Sequence, residues 1–290
     1  MRTLRVLGTT ALAGVCCAVS AAPASAAERP GTDRRELGYD VSHPQCDAEL
    51  PERADFVVVG VNGGLATRPN RCLVQQLEWA ADVTDADGDQ PAVQVYLNTA
   101  NPGELRQLVT TWPTDGDTPY GECTGDNSTA CSYAYGRARA EFSVEEFFAP
   151  AARAAGLDDD PADVRWWLDV ETMNTWQSGS GQSGSGQAGS GQARDRNRAA
   201  LEGMADELES LGAEVGLYST GYQWRQIVGE VERSSPLYSL DSWLAGARSR
   251  YDAAQRCADE PLTGGGSVLM VQYVDDDLDH DVSCPTGRDD

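Results

Sequence analysis

Apolar residues fall in short runs along this chain, at 37–42, 55–62, 92–98, 165–171, 214–220, 242–247 and 268–274. Between several of them, at 71–83, 136–156, 197–212 and 222–231, the apolar positions take helical spacing instead. Strand and helix alternating this often predict parallel strands with helices laid over them. Seven strands, with an eighth near LDHDVS at 278–283, predict a single α/β domain built as a TIM-like (β/α)8 barrel with irregularities. A doubly wound open sheet is the rival arrangement. No glycine-rich phosphate loop follows the first strand, which weakens the nucleotide-binding form of that rival.

Two segments interrupt the alternation. Residues 111–133 are rich in turn formers and contain Cys123 and Cys131, so they read as a long loop with its own staple. Residues 178–192 repeat Gly, Ser and Gln without charge or apolar anchor, and are expected to form a flexible, dispensable insertion on the functional face of the barrel.

The run RWWLDVE at 165–171 raises the question of chemistry. Trp166, Trp167 and Leu168 have the bulk of a strand covered on both faces. Alternation along such a strand puts Asp169 and Glu171 on one side, roughly 6–7 Å apart at Cα. Like charges that close raise at least one pKa and help an acid stay protonated near neutral pH. A solvated strand end with two surface acids is the plain alternative. In barrels of this type, however, functional groups come from the C-terminal ends of several strands. Asp40 follows the first strand, Asp169 and Glu171 the fourth, and Asp279 and Asp281 belong to the last acidic run. Tyr218, Tyr222, Trp224 and Tyr273 bring flat rings to the same strand ends, and flat rings beside paired acids suit the C–H faces of a sugar. Each ring taken singly reads as ordinary core packing.

Composition and charge narrow the setting. Arg2 and Arg5, an apolar run and the small-residue site ASAA make residues 1–27 a secretory signal peptide, leaving 28–290 as the barrel domain. Val15 before Cys16 argues against a lipoprotein anchor, and no later run reaches the ~18 apolar residues of a membrane helix. The expected product is a secreted, extracellular protein. A formal net charge of −24 argues against nucleic acid or an anionic membrane as partner. Six cysteines remain after the leader, an even number that favours disulfides and leaves the pairing open. With no C-x-x-C spacing and two histidines, a zinc centre is not expected. The acidic runs at 85–89 and 275–281 do not complete a calcium loop, so neither metal nor cofactor is expected.

The pieces GYDVSHPQ, FVVVGVNGG, VYLNTANPG, WWLDVET, GLYSTGYQW, WLAGA and VQYVDDDLDHDVS occur in an order that spans nearly all of the mature chain. In this it resembles glycoside hydrolase family 25, secreted muramidases with an irregular (β/α) barrel, and more closely a set of exported bacterial relatives of unassigned activity. The resemblance implies Glu171 as general acid/base. Asp169 would orient the substrate's acetamido group as it attacks the anomeric carbon, and Asp40 would lie in the same pocket. Asp279, Asp281, Tyr218, Trp224, Tyr273 and Asn98 form the expected substrate-binding set. The chain departs from the family where VNGG replaces a lysine-containing motif, where His43 and Pro44 follow the first strand, and where NTANPG follows the third.

The implied function is hydrolysis of peptidoglycan-type glycan or a related polysaccharide by a monomeric enzyme. The alternative is a non-catalytic carbohydrate-binding or cell-surface protein on the same barrel. Proximity in such a barrel suggests the pairs Cys46–Cys72, Cys123–Cys131 and Cys257–Cys284.

Overall fold

The apolar runs become the staves of a closed barrel. The structure is a computed structural model that describes residues 35–63, 66–84, 88, 90–179, 190–275 and 278–285. The barrel strands are β1 (Leu37–Val41), β2 (Phe56–Gly60), β3 (Val93–Asn98), β6 (Arg165–Asp169), β7 (Glu214–Ser219), β8 (Asp241–Ala247), β9 (Val268–Asp275) and β10 (Leu278–Ser283). A separate hairpin, β4 (Asp117–Thr118) with β5 (Gly121–Glu122), lies in the turn-rich segment. Neighbours around the ring run β1, β2, β3, β6, β7, β8, β9, β10 and back to β1.

Strands β1 to β9 of the ring pair in parallel, but β10 is antiparallel to both β9 and β1. Two residues separate β9 from β10, and a parallel crossover needs a dozen or more, so the chain turns back as a hairpin. This is the irregularity in the (β/α)8 plan, and it matters for the site. The N-terminal end of β10 lies at the mouth formed by the C-terminal ends of the others, with Asp279 directly opposite Asp40.

The wall has two apolar faces. Outside, Val57, Val59, Val95, Leu97, Trp166, Leu168 and Leu217 pack against helices α1 (Leu73–Val83), α2 (Thr129–Phe142), α3 (Ala149–Ala155), α4 (Gly191–Ser210) and α5 (Gly221–Ile227). Helix α6 (Arg250–Arg256) covers β8 and β9 through Ala253. Inside, Phe56, Val58, Trp167, Tyr218, Trp243 and Met270 fill the barrel, with Tyr96 packed against them.

Three points refine the helical expectations. Helix α2 begins at Thr129, where Ser128 caps it by accepting the Cys131 N–H at 3.1 Å, so the end of the turn-rich segment is helical. The expected helix over 136–156 is present but widens over Ser143–Phe148, where Ala149 N bonds Val144 O five residues back. Pro150 has no N–H for the regular ladder, which suits this widening. The third concerns the expected insertion. Its last two residues, Gly191 and Gln192, start α4, and Ser190 caps that helix. At its other end Ser178 is buried, its N–H bonded to Glu104 at 3.1 Å, and Ser190 N donates to Ser178 O at 3.1 Å. Residues 180–189, like the expected signal peptide at 1–27, lie outside the described residues.

Helices α2 and α4 cross at two glycines. A Cβ on Gly136 would meet the Ala200 carbonyl oxygen at 1.9 Å, and one on Gly203 the Tyr133 oxygen at 2.1 Å. Only glycine permits this backbone approach. Three disulfides, Cys46–Cys72, Cys123–Cys131 and Cys257–Cys284, match the expected pairing. No helix among the described residues is long and apolar enough to cross a membrane.

Candidate active site

Strand β6 carries its side chains alternately outward and inward. Trp166, Leu168 and Val170 join the outer core, while Trp167 packs inside against Trp243. Asp169 shares the inward parity of Trp167. The strand end is held on both sides. The Asp169 carbonyl accepts Thr99 N (3.2 Å) and Thr99 Oγ1 (2.5 Å), and Val170 N donates to Tyr218 O (2.9 Å). Ser219 Oγ donates to Val170 O at 2.6 Å. One residue beyond, the Glu171 carbonyl accepts the Trp176 indole N–H at 2.9 Å. Neighbouring strands thus set the direction in which both carboxylates point.

Asp40, Asp169, Glu171 and Asp279 converge on one cavity of about 470 Å³ at the mouth of the barrel. Tyr96, Asn98, Tyr218, Trp243 and Gln272 line it, with Met173 at its edge, 86% exposed. Tyr218 and Trp243 lie 4.3 Å apart between ring centroids, an aromatic wall beside the acids.

Below the acids runs a fixed polar chain. Tyr218 OH donates to Gln272 Oε1 at 2.9 Å, and Gln272 Nε2 donates to Asp40 Oδ2 at 2.8 Å. On the other side, the Trp243 indole N–H donates to Asp281 Oδ1 at 2.7 Å. Asp281 Oδ2 is buried with no hydrogen-bond partner, and the Asp40 and Asp281 carboxyl groups influence each other's ionisation. Burial first, and Asp279 as well, push Asp281 up to about 8, while Trp243 and then Asp40 oppose the shift. Asp40 is held well above the usual carboxylate range by burial, then by Asp281 and Asp279.

The same cause acts at the mouth. Asp169 is raised well above its ordinary value by burial and then by Glu171. Glu171 is raised by burial while Gln223 lowers it, and Asp279 is raised by burial and then by Glu171. Crowding was the cause expected from the sequence; desolvation is the larger one at each acid. A cluster of carboxyl groups with raised pKa values is suited to both donating and accepting protons.

The other expected site residues divide. Asn98 lines the cavity, its backbone N–H bonded to Asn62 Oδ1 at 2.7 Å while Asn62 Nδ2 returns a bond to Asn98 O at 3.0 Å. Asp281 lies inside the barrel beneath Asp40 and reaches the cavity only through it. Tyr273 is on the opposite face of β9, stacked on His280 at 4.9 Å and packed in the outer cluster under α6. Its neighbour Gln272 has the inward parity. Trp224 belongs to the outer core under α5 and borders a different groove of about 950 Å³ between α4, α5 and residues 259–264. That groove is larger, but Arg198 and Arg256 in it pair locally with Asp195 and Asp259, and it gathers none of the raised carboxylates. The mouth cavity is the better candidate on its chemistry.

Gln272, Tyr96 and Trp243 are site residues that the sequence reading passed over. Gln272 had a signal: a glutamine inside an apolar strand must find partners. Among the described residues, no group of three or more His, Cys, Asp or Glu side chains is arranged to hold a metal ion.

A closed eight-stranded α/β barrel with an acidic, aromatic-lined mouth is the class of protein that fold and site define. No protein-family model matches the chain, and no curated protein matches it in sequence. Among solved structures it is similar to the bacterial lysozyme from Streptomyces coelicolor, with a TM-score of 0.51 and 13% sequence identity. The match covers 88% of this chain and 94% of that one. The likeness is one of fold.

Proposed function

We propose that this chain is an exported glycoside hydrolase acting on the glycan of cell-wall peptidoglycan or a related polysaccharide. The observation that carries the reading is the gathering of Asp40, Asp169, Glu171 and Asp279 in one aromatic-walled mouth, each with a raised pKa. Glu171, its pKa raised by burial, donates its proton to the glycosidic oxygen as the bond to the anomeric carbon breaks. Asp169, deeper and adjacent, accepts the N–H of the substrate's acetamido group. Its ionised form is favoured once that donor arrives, and it steadies the positive charge that develops as the acetamido oxygen attacks. Glu171, now a carboxylate, then takes a proton from the incoming water. Tyr218 and Trp243 supply the surface for the sugar ring, and Asp279 and Asn98 its polar edge.

The barrel likeness to a lysozyme supports this substrate class, and the leader sequence with three disulfides supports export. The test is loss of turbidity of purified peptidoglycan, wild type against Glu171→Gln. Clearing by the wild type alone is expected. Binding to the glycan without clearing by either protein would favour the carbohydrate-binding alternative.

A further inference from the structure

At the mouth, the ends of β2 and β3 are joined by a side chain where the sheet ladder stops. Just past β2, Val61 N still donates to Tyr96 O at 2.9 Å, as parallel strands do. One residue on, the Asn62 amide takes over. Its Oδ1 accepts the Asn98 backbone N–H at 2.7 Å, and its Nδ2 donates to Asn98 O at 3.0 Å. A backbone donor and a backbone acceptor thus fix which end of this amide is oxygen, since the flipped form would oppose like to like. Asn98 is placed in turn. Its Nδ2 lies 3.2 Å from Asn62 Oδ1 and 3.4 Å from Asn62 O, both of them acceptors. Asn98 lines the mouth cavity, and among the described residues nothing donates to its Oδ1. Nor is that oxygen one of the sealed, unpartnered atoms of the interior. The atom that Asn98 offers to the cavity is therefore an acceptor.

We infer that Asn62 is a positioning residue for Asn98, and that through it this side of the mouth selects a hydrogen-bond donor on the ligand. A hydroxyl or an amide N–H fits there; an ether or carbonyl oxygen would face another acceptor. The inference rests on the glycan reading for the identity of that donor, which is then a free sugar hydroxyl. The acids around the cavity do not select in this way. A carboxyl group donates when protonated and only accepts when ionised, so Asp40, Asp169, Glu171 and Asp279 change their preference with pH. An amide does not titrate. Asn98 holds one preference throughout, and Asn62 sets which one it is.

Two measurements test it. The first needs no ligand: hydrogen exchange of the Asn98 side-chain NH2, followed by 15N NMR and assigned by its loss in Asn98→Ala. Slow exchange is expected in the wild type, and exchange about ten-fold faster in Asn62→Ala. Wild-type exchange as fast as that of free asparagine would overturn the inference. The second uses the methyl glycoside of N-acetylglucosamine and analogues in which fluorine, which cannot donate, replaces one hydroxyl at a time. One analogue should bind the wild type about ten-fold more weakly than the parent, and the penalty should vanish in Asn98→Ala. That variant keeps both backbone bonds to Asn62, so it can be read even if Asn62→Ala fails to fold. In Asn62→Ala the penalty should shrink too; a residue that only tied the strands together would lower melting and leave it unchanged. Penalties equal in wild type and Asn98→Ala for every analogue would overturn the selection of a donor. Slow exchange with no sugar binding would sink the glycan reading and leave the Asn62 clamp standing. Fast exchange with sugar binding intact would do the reverse.

Discussion

Trp166, Leu168 and Val170 on the outer face of β6 meet the apolar sides of helices, whereas one residue away Trp167 and Asp169 face the barrel interior. Both faces are buried, yet they are built differently. The outer layer is aliphatic and aromatic, with Leu77, Leu201, Met204 and Leu208 closing over the strands. The inner layer mixes large rings with buried Asp40, Gln94, Asp169, Gln272 and Asp281. Buried polar and acidic groups cost stability unless paired, and here Asp281 Oδ2 is buried without a partner. The contrast is that the outer face supplies stability while the inner face spends part of it on groups poised to exchange protons.

The largest expected effect separates the two layers by activity. Glu171→Gln should lower turnover about 10²–10⁴-fold, as loss of a general acid does, with melting unchanged or slightly raised because one buried acid is removed. Retention of full activity would break the assignment of the inner face. Next comes the outer face: Leu168→Ala, at a fully buried position, is expected to cost about 2–5 kcal/mol in denaturant unfolding. A loss well under 1 kcal/mol would mean that the outer layer is not close-packed there.

A smaller effect is read in pH. Asp281 sits near 8 in the folded protein, above the ~3.9 of an unfolded aspartate. The folded state therefore holds a proton that the unfolded state releases across that window. The stabilisation is fully present below the unfolded value and is lost as pH rises through about 8. The slope is at most ~1.4 kcal/mol per pH unit for each proton retained, and Asp281→Asn should flatten it. Equal slopes in the two proteins would refute the raised pKa of Asp281. The smallest effect belongs to residues 180–189. Ser178 and Ser190 already meet through a backbone bond, so replacing the intervening residues by a short turn should move the melting temperature little. A large drop would show that these residues contribute packing.

Much of the barrel and part of the site were legible in the residue pattern, because alternation along a strand is a local property. RWWLDVE by itself places Trp167, Asp169 and Glu171 on one parity, and every apolar run named from the pattern became a stave. Which parity faces inward is another matter. It depends on register and closure, which bring together residues far apart in the chain. Tyr273 and Gln272 are neighbours in one apolar strand, and the pattern favoured the ring, yet barrel closure turns Gln272 to Asp40 and Tyr273 to His280. Trp224 follows a strand end but falls on the buried side of α5. The sequence alone determined that acids and rings cluster near the strand ends. Only the tertiary structure decided which of them share a cavity, and that burial raises the pKa of Asp40 and Asp281, since desolvation arises when distant strands close on one another.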